Sequence, residues 1–498
     1  MLGVCAARVP FTVGPVDGFT TWCGPRGTLA RARARAGPQR GGLNIGRRVG
    51  FPHGRSVTVS SGAGDKVDVV VVGSGGREHA LAWSIQKSER LGKLWAVPGN
   101  PGMAADGVEC VDVPGGNAGL VAFAKANKAG LVVVGPEAPL VDGLADDLAA
   151  EGIPVFGPSR AASRLEGSKA FMKGIAEKCG VPSASFETFT DAEAAKAFIR
   201  RHGAPVVVKT DGLAAGKGAL VCSTVEEAEA AVGQIMEDRA FGDAGNTVVV
   251  ESFLEGEEAS FFAVCDGETA VAFGGGVQDH KRAFDGDAGP NTGGMGAYSP
   301  APVFTDEVQR KTMERIVLPT LKGMAAEGCP FRGVLFAGLM VDAQGDPSLI
   351  EFNIRFGDPE CQVLMARLES DLLEVLLLAS EKEGGLKTLG PLQWSDQSAL
   401  VVVVAADGYP GAYAKGSPLG DLGSAERAAD GVKIFHAGTA LDPEGRVVSN
   451  GGRVLGVTSR AASVKDARAN AYKAVDTLAW KDGFVRRDIA WRALQRDP

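Results

Sequence analysis

Residues 349–360 read LIEFNIRFGDPE, an apolar strand interrupted by charge. Successive side chains of a strand alternate faces, so Glu351 and Asn353 point the same way. A carboxylate and an amide oxygen are hard donors, suited to a Mg²⁺ held between protein and ATP phosphates. Arg355 keeps the same parity and is placed to steady a phosphoryl group in transfer. Three polar groups on one face of an apolar strand are costly to bury without a task. The structural alternative is an Arg–Glu pair.

Upstream, residues 206–218 read VVVKTDGLAAGKG. Lys209 ends a strand, and a glycine-rich loop with a second lysine follows. Glycines let backbone N–H groups approach phosphate oxygens, and lysines add positive charge. The Walker pattern GxxxxGK[ST] is absent. A hairpin tip with solvated lysines is the plain alternative. Residues 247–261, TVVVESFLEGEEASF, run a strand into Glu251-Ser252-Phe253-Leu254, with Glu258 seven residues past Glu251. That spacing can offer backbone groups to a base and a carboxylate to a ribose. Alone it is an ordinary acidic strand.

Nearer the start, residues 67–82 read VDVVVVGSGGREHALA, a strand, a glycine turn and a helix. A dinucleotide site needs GxGxxG and then an acid ending the second strand. Glu78 stands at the third glycine position, and the second strand ends Val97-Pro98-Gly99-Asn100 without an acid. A nicotinamide-linked dehydrogenase is therefore disfavoured. The turn still suits a phosphate at a helix N-terminus, or serves packing alone.

Composition narrows the class. The first 64 residues hold nine arginines, no lysine and one acid, Asp17, for a net +8. The whole chain is −8, which leaves −16 on the remainder. An Arg-rich, acid-poor segment containing RARAR fits an organelle transit peptide, cut between about Ser56 and Lys66. A basic arm for nucleic acid is the alternative. The acidic body argues against nucleic-acid binding. Eight cysteines without CxxC pairs and five histidines without ligand-like spacing argue against disulfide or zinc frameworks. No apolar run approaches the roughly 18 residues of a membrane helix.

From Val67, strands at 67–72, 94–97, 131–134 and 153–156 alternate with helices at 77–90 and 118–128, the pattern of a parallel sheet. Beyond about residue 167 the pattern changes. Strands 206–209 and 219–222 flank the glycine-rich loop as a hairpin, and 247–251 and 259–265 read as another strand pair. Residues 280–300, rich in Gly, Asp and Pro, read as an exposed loop. Strands 334–341 and 348–352 precede a helix from about Pro359. Leu386–Asp396 reads as a linker to a last unit containing strand 399–405 and helix 464–478.

Taken together, LEGSKAFMK, KTDGLAAGKG, ESFLEGEEASF, QDHKRAFDGDAGPNTGGMGAYSP and IEFNIRFGDPE resemble the glycinamide ribonucleotide synthetase (phosphoribosylamine–glycine ligase) family of ATP-grasp enzymes. GGREHALAW, GPEAPLVDGL, FHAGT and NGGRVLGVT also fit, and the resemblance covers nearly all of residues 67–498. Each motif is moderately specific; their order is highly so. The resemblance implies an α/β chain, α+β in its ATP-binding part. It implies a 1–64 transit peptide expected to be disordered, and a 65–167 N-terminal parallel-sheet domain for substrate. A 168–385 ATP-grasp domain with a mobile lid at about 186–256 and a 394–498 C-terminal domain follow. No second catalytic module follows, as in the monofunctional form.

The implied reaction joins glycine to 5-phosphoribosylamine with ATP, through glycyl phosphate, in purine synthesis. By similarity, Lys169 and Lys209 contact ATP phosphates, and the loop Gly212–Gly218, with Gly216 and Lys217, closes over them. Glu251, Ser252, Phe253 and Leu254 hold adenine, and Glu258 holds ribose. Glu351 and Asn353 bind Mg²⁺ or Mn²⁺, and Arg355 steadies the phosphoryl group. Asp279, His280, Lys281, Arg282, Asn291, Thr292, Gly293, Gly294, Met295 and Gly296 line the glycine and phosphoribosylamine pocket, joined by Asp358. Gly73, Ser74, Gly75 and Gly76, with Gly135, Pro136 and Glu137, touch the phosphoribosyl group. The sequence departs from the family at Thr210, where Ala is usual, and at Ile354, where bacterial members often have Cys. Many ATP-grasp enzymes carry a second metal carboxylate about 12 residues before the Glu, where this chain has Gly338-Leu339. The implied partners are small molecules only, with no nucleic acid or membrane, and a monomer or weak homodimer. The implied compartment is the plastid, with the mitochondrion as alternative. An ATP-grasp carboxylase and a non-catalytic ATP-binding module are the rival readings.

Overall fold

The computed structural model describes residues 66–214, 218–381 and 384–496. The proposed transit peptide, together with Gly216 and Lys217, lies outside them.

The valine run forms strand Val67–Gly73, the centre of a five-stranded parallel sheet. It lies between Leu91–Pro98 and Leu131–Val134, with Glu109–Cys110 and Val155–Phe156 at the edges. Val70 and Val72 enter one core and Val69 and Val71 another, so both faces of the strand are buried. A parallel sheet covered by helices on both sides requires such a continuous apolar run. Helix Gly76–Ile85 is shorter than the sequence predicts. The second strand takes over at Leu91, pairing with Val67, and Asp68 Oδ1 accepts the Lys93 N–H at 2.7 Å.

The next two sheets face each other. One has the order Phe186–Phe189, Val248–Ser252, Val206–Thr210, Ala219–Cys222, with its own small core around Ile199, Val208 and Val250. The other has the order Ala270–Ala272, Glu257–Asp266, Arg332–Val341, Pro347–Asn353. The expected pairing of 247–251 with 259–265 is incorrect: these strands belong to different sheets. Gly256, at φ +152°, turns the chain from one sheet to the other, and a Cβ there would lie 2.3 Å from the Val341 carbonyl oxygen. Only glycine makes that turn without strain.

The expected exposed loop at 280–300 is also incorrect. Gly296–Ser299 is a buried strand beside Ser398–Ala406 in the C-terminal sheet, with Met295, Ala297 and Tyr298 in the interior. Most of the exposed residues of 280–300 lie in the hairpin Arg282–Phe284 with Ala288–Asn291, with Gly293 and Pro300 also exposed. Leu386–Asp396 is no loose linker: Leu386 is buried and Trp394 stacks edge-on to Phe273 at 5.1 Å. Among the described residues, no helix is long and apolar enough to cross a membrane.

Candidate active site

A cavity of about 550 Å³ opens between the two facing sheets. On one wall, Lys209 lies in strand Val206–Thr210, and its Nζ sits 2.9 Å from Glu251 and donates to the Ile350 carbonyl at 3.1 Å. The other Glu251 oxygen meets Lys173 Nζ at 3.0 Å. Lys173 is wholly buried, and burial pushes its pKa down despite the pairing with Glu251. Two lysines on one carboxylate leave a net positive charge where the cavity begins. Thus the Glu251 side chain is already committed, and only its backbone remains for a base. Lys169 opens helix Lys169–Lys178 and donates to the Gly212 carbonyl at 3.2 Å. Asp211 clasps the same helix start by accepting the Ala170 N–H at 3.1 Å. Thr210 donates its hydroxyl to the Ala244 carbonyl, giving the departure from Ala a structural use. Ser252, Phe253, Leu254 and Gly218 also line the cavity.

On the opposite wall, Glu351 and Asn353 share the cavity face, as their spacing requires. Gly338 lies directly opposite Glu351, so that strand offers no second carboxylate. Arg355 Nη2 donates to Asn353 Oδ1 at 3.0 Å and to Glu166 at 3.1 Å, and Nε reaches Glu137 at 3.3 Å. Its carboxylate partners are therefore Glu137 and Glu166 rather than Glu351. Burial raises the Glu166 pKa, Arg355 opposes this, and the neighbouring Glu137 and Glu351 charges raise it further. The site holds excess negative charge that a cation would relieve.

Toward the far end, Lys281 bridges Asp279 at 2.9 Å and Glu258 at 3.2 Å. Asp358 accepts the Arg77 N–H at 3.3 Å and the Gln362 amide at 3.0 Å. Burial works against its charge, but Arg453 and Arg77 hold its pKa below the usual range. Arg453 donates to the Gly293 carbonyl at 2.8 Å, and Tyr409 Oη accepts the Gly293 N–H at 3.2 Å. Asn291 and Thr292 complete this end.

Not every expected residue reaches the cavity. His280 is buried and accepts the Ala490 N–H at 2.9 Å through Nε2, tying the loop to the C-terminus. Arg282 points outward, donating to the Gly289 carbonyl at 2.7 Å. Met295 is core, and Gly294 and Gly296 pack against Pro359 and Ile489. Gly73, Ser74, Gly75 and Pro136 line a separate cavity of about 370 Å³. Gly76 packs against Gln362, and Gly135 against Glu78. Of the N-terminal loops, only Glu137 lines the main cavity.

Glu78 resolves the broken glycine motif. Its Oε2 accepts the Gly75 N–H at 2.6 Å, and its Oε1 pairs with Arg77 at 2.6 Å. A carboxylate sits where a dinucleotide pyrophosphate would dock, and like charges repel. The glycines serve it: a Cβ on Gly135 would lie 2.1 Å from Glu78 Oε1.

Sequence reasoning gives no role to Arg77, Glu166, Lys173, Glu360, Tyr409 or Arg453. All but Lys173 line the cavity. Five of the six, all but Tyr409, lie within the quoted motifs GGREHALAW, LEGSKAFMK, IEFNIRFGDPE and NGGRVLGVT, whose polar residues are the available signal.

Comparison with known proteins finds three successive matches. They are the phosphoribosylglycinamide synthetase N domain over residues 67–166, its ATP-grasp domain over 167–361 and its C domain over 399–492. The chain belongs to the phosphoribosylglycinamide synthetase family. A phosphoribosylamine–glycine ligase of Brucella melitensis is 56% identical over 430 residues, spanning 86% of this chain and 99% of the relative. A chloroplastic enzyme of the same name from Arabidopsis thaliana is 56% identical over 426 residues, 84% of this chain and 79% of that protein. A crystal structure of the Thermotoga maritima phosphoribosylamine–glycine ligase superposes with a TM-score of 0.73 at 34% identity, covering 85% of this chain and all of that one. The biotin carboxylase domain of Hydrogenobacter thermophilus 2-oxoglutarate carboxylase, 16% identical with a TM-score of 0.62 over 84% of this chain and 91% of its own, shares the fold alone. The phosphoribosylglycinamide synthetase chain thus has the ATP-grasp architecture implied by its motifs.

Proposed function

We propose that the cavity ligates glycine to 5-phosphoribosylamine and converts ATP to ADP and phosphate. The convergence of Lys169, Lys209, Glu351, Asn353 and Arg355 on one cavity, in a member of this family, carries the reading. A carboxylate is a poor acyl donor. A glycine carboxylate oxygen therefore attacks the γ-phosphorus, ADP leaves, and glycyl phosphate forms. The amine of phosphoribosylamine attacks the glycyl carbonyl, the C–O bond to phosphate breaks, and the amide forms. The protein contributes mainly position and charge.

Lys169, Lys209 and the Gly212–Gly218 loop cradle the ATP phosphates. Backbone groups of Glu251 to Leu254 with the Phe253 ring hold adenine, and Glu258 the ribose. Glu351 and Asn353 supply the oxygen donors for Mg²⁺ or Mn²⁺, and the crowded carboxylates around Glu166 fit a cation. Such an ion would neutralise charge on the phosphates as they separate. Arg355, held by Glu137 and Glu166, steadies the phosphoryl group. Asp279, Lys281, Asn291, Thr292, Gly293 and Asp358 take glycine and phosphoribosylamine, and Arg77 and Arg453 suit the sugar phosphate. We assign residues 65–167, 168–385 and 394–498 as domains, with the lid at about 186–256. We further propose a plastid location, supported by the Arg-rich first 64 residues and the chloroplastic relative. A coupled ADP-release assay tests the reading: both substrates are required, and bicarbonate does not replace glycine. ADP release with bicarbonate and none with glycine contradicts it.

A further inference from the structure

One buried carboxylate in the cavity has no part in the steps above. Glu360 opens helix Glu360–Arg367 and is 4% exposed, yet it lines the cavity. Ser260 donates its hydroxyl to Oε1 at 3.2 Å. Gly357 makes room for the group, since a Cβ there would lie 2.3 Å from Glu360 Oε2. The carboxylate stands among three charged neighbours, Asp279, Lys281 and Arg355. It thus lies between the residue assigned to the phosphoryl group and those assigned to the two small substrates.

Amide formation demands such a group. The amine of phosphoribosylamine gains positive charge as it attacks, and a proton must leave its nitrogen before the amide is complete. Resting on the ligase reading above, we propose that Glu360 is the general base of this second step. Its carboxylate takes one proton from the attacking nitrogen as the C–N bond forms and the C–O bond to phosphate breaks. Phosphate departs with the bonding electron pair. Ser260 orients the carboxylate. Burial, then the Asp279 charge, push the Glu360 pKa up to about 7, against the pull of Lys281 and Arg355. A base poised near the working pH is the most effective kind.

The test separates the two half-reactions. Glycine-dependent positional isotope exchange in β,γ-bridge-labelled ATP, without phosphoribosylamine, reads glycyl phosphate formation. Steady-state turnover, with phosphoribosylamine made in situ from ribose 5-phosphate and ammonia, reads ligation. For Glu360→Gln the exchange stays within about threefold of wild type, and ligation falls ~10²–10³-fold. Glu360→Asp retains a carboxylate one methylene further back, keeps the exchange, and loses about tenfold in ligation. Equal loss of both activities in Glu360→Gln overturns the proposal, because the residue then binds glycine or holds the fold. Unchanged ligation in Glu360→Gln overturns it as well. Absence of wild-type turnover with both substrates overturns the ligase reading itself, and this inference with it.

Discussion

Replacing Glu251 by Gln removes the single carboxylate between Lys173 and Lys209. Both lysines lie within 3.0 Å of it, and all three side chains are at most 3% exposed. The loss leaves two ammonium groups near each other in a low-dielectric wall. Breaking a buried pair by removing one partner costs roughly 3–5 kcal/mol. The cost has a ceiling, because an orphaned lysine can release its proton. Falling from an ordinary pKa near 10.4 to neutrality costs about 1.4 kcal/mol per unit, or about 4–5 kcal/mol per lysine. The triad also joins strands Val206–Thr210 and Val248–Ser252 to helix Lys169–Lys178 and to the Ile350 carbonyl, so the damage concentrates there. Native-state hydrogen exchange at Val206–Thr210 and Val248–Ser252 reads it locally. Protection in Glu251→Gln falls by about 10²–10³, the equivalent of 3–4 kcal/mol. Adding Lys173→Met removes one orphan charge and recovers at least about 1 kcal/mol. A single variant with less than a threefold change in protection, or a double variant no better than the single, refutes the charge accounting.

Three further outcomes follow from the same geometry. His79 and His436 are buried where the N-terminal sheet's helix meets the C-terminal sheet: His79 Nδ1 accepts the His436 N–H at 2.9 Å, so Nε2 donates to Asp106 at 3.0 Å. Burial lowers both pKa values, that of His436 to about 3 with His79 and Lys433 adding to the effect. A depressed histidine stabilises the fold above its unfolded pKa near 6.5 and loses that contribution as pH falls, by about 2 kcal/mol for His436 at pH 5. Urea midpoints at pH 7 and 5 check this, and His436→Gln flattens the difference. Gly135→Ala drives a methyl into the Glu78 side chain and lowers stability by about 1–3 kcal/mol, read by the same urea titration. Glu351→Gln lowers turnover at least ~10²-fold and raises the Mg²⁺ concentration needed for half activity. It leaves the urea midpoint near wild type, because among the described residues no hydrogen bond or ion pair engages that carboxylate. Near-normal turnover with ordinary metal dependence removes Glu351 from the metal site.

The sequence shows the parallel sheet, the hairpin of 206–209 with 219–222 and the shared face of Glu351 and Asn353, because each depends on local periodicity. It hides what depends on a single backbone torsion or on distant partners. Gly256 separates two strands that look like a pair, and a strand at Gly296–Ser299 is invisible inside a glycine-rich run. His280 reads as a site residue by its neighbours, yet its imidazole is spent on the Ala490 N–H, 210 positions away. Glu251 looks like an adenine contact, and only tertiary packing brings Lys173 to it. Arg453 reaches the cavity from the C-terminal sheet, a meeting that no local pattern announces. Glu78 is the instructive case: the departure from GxGxxG was legible, and the reason for it required the folded helix terminus.

The most direct test of the central claim is ADP release by residues 65–498 with ATP and Mg²⁺, measured with glycine and phosphoribosylamine together and with each omitted. Sustained release, matched by one glycinamide ribonucleotide per ADP, is expected only when both are present. Release that is indifferent to glycine, from folded protein, contradicts the claim.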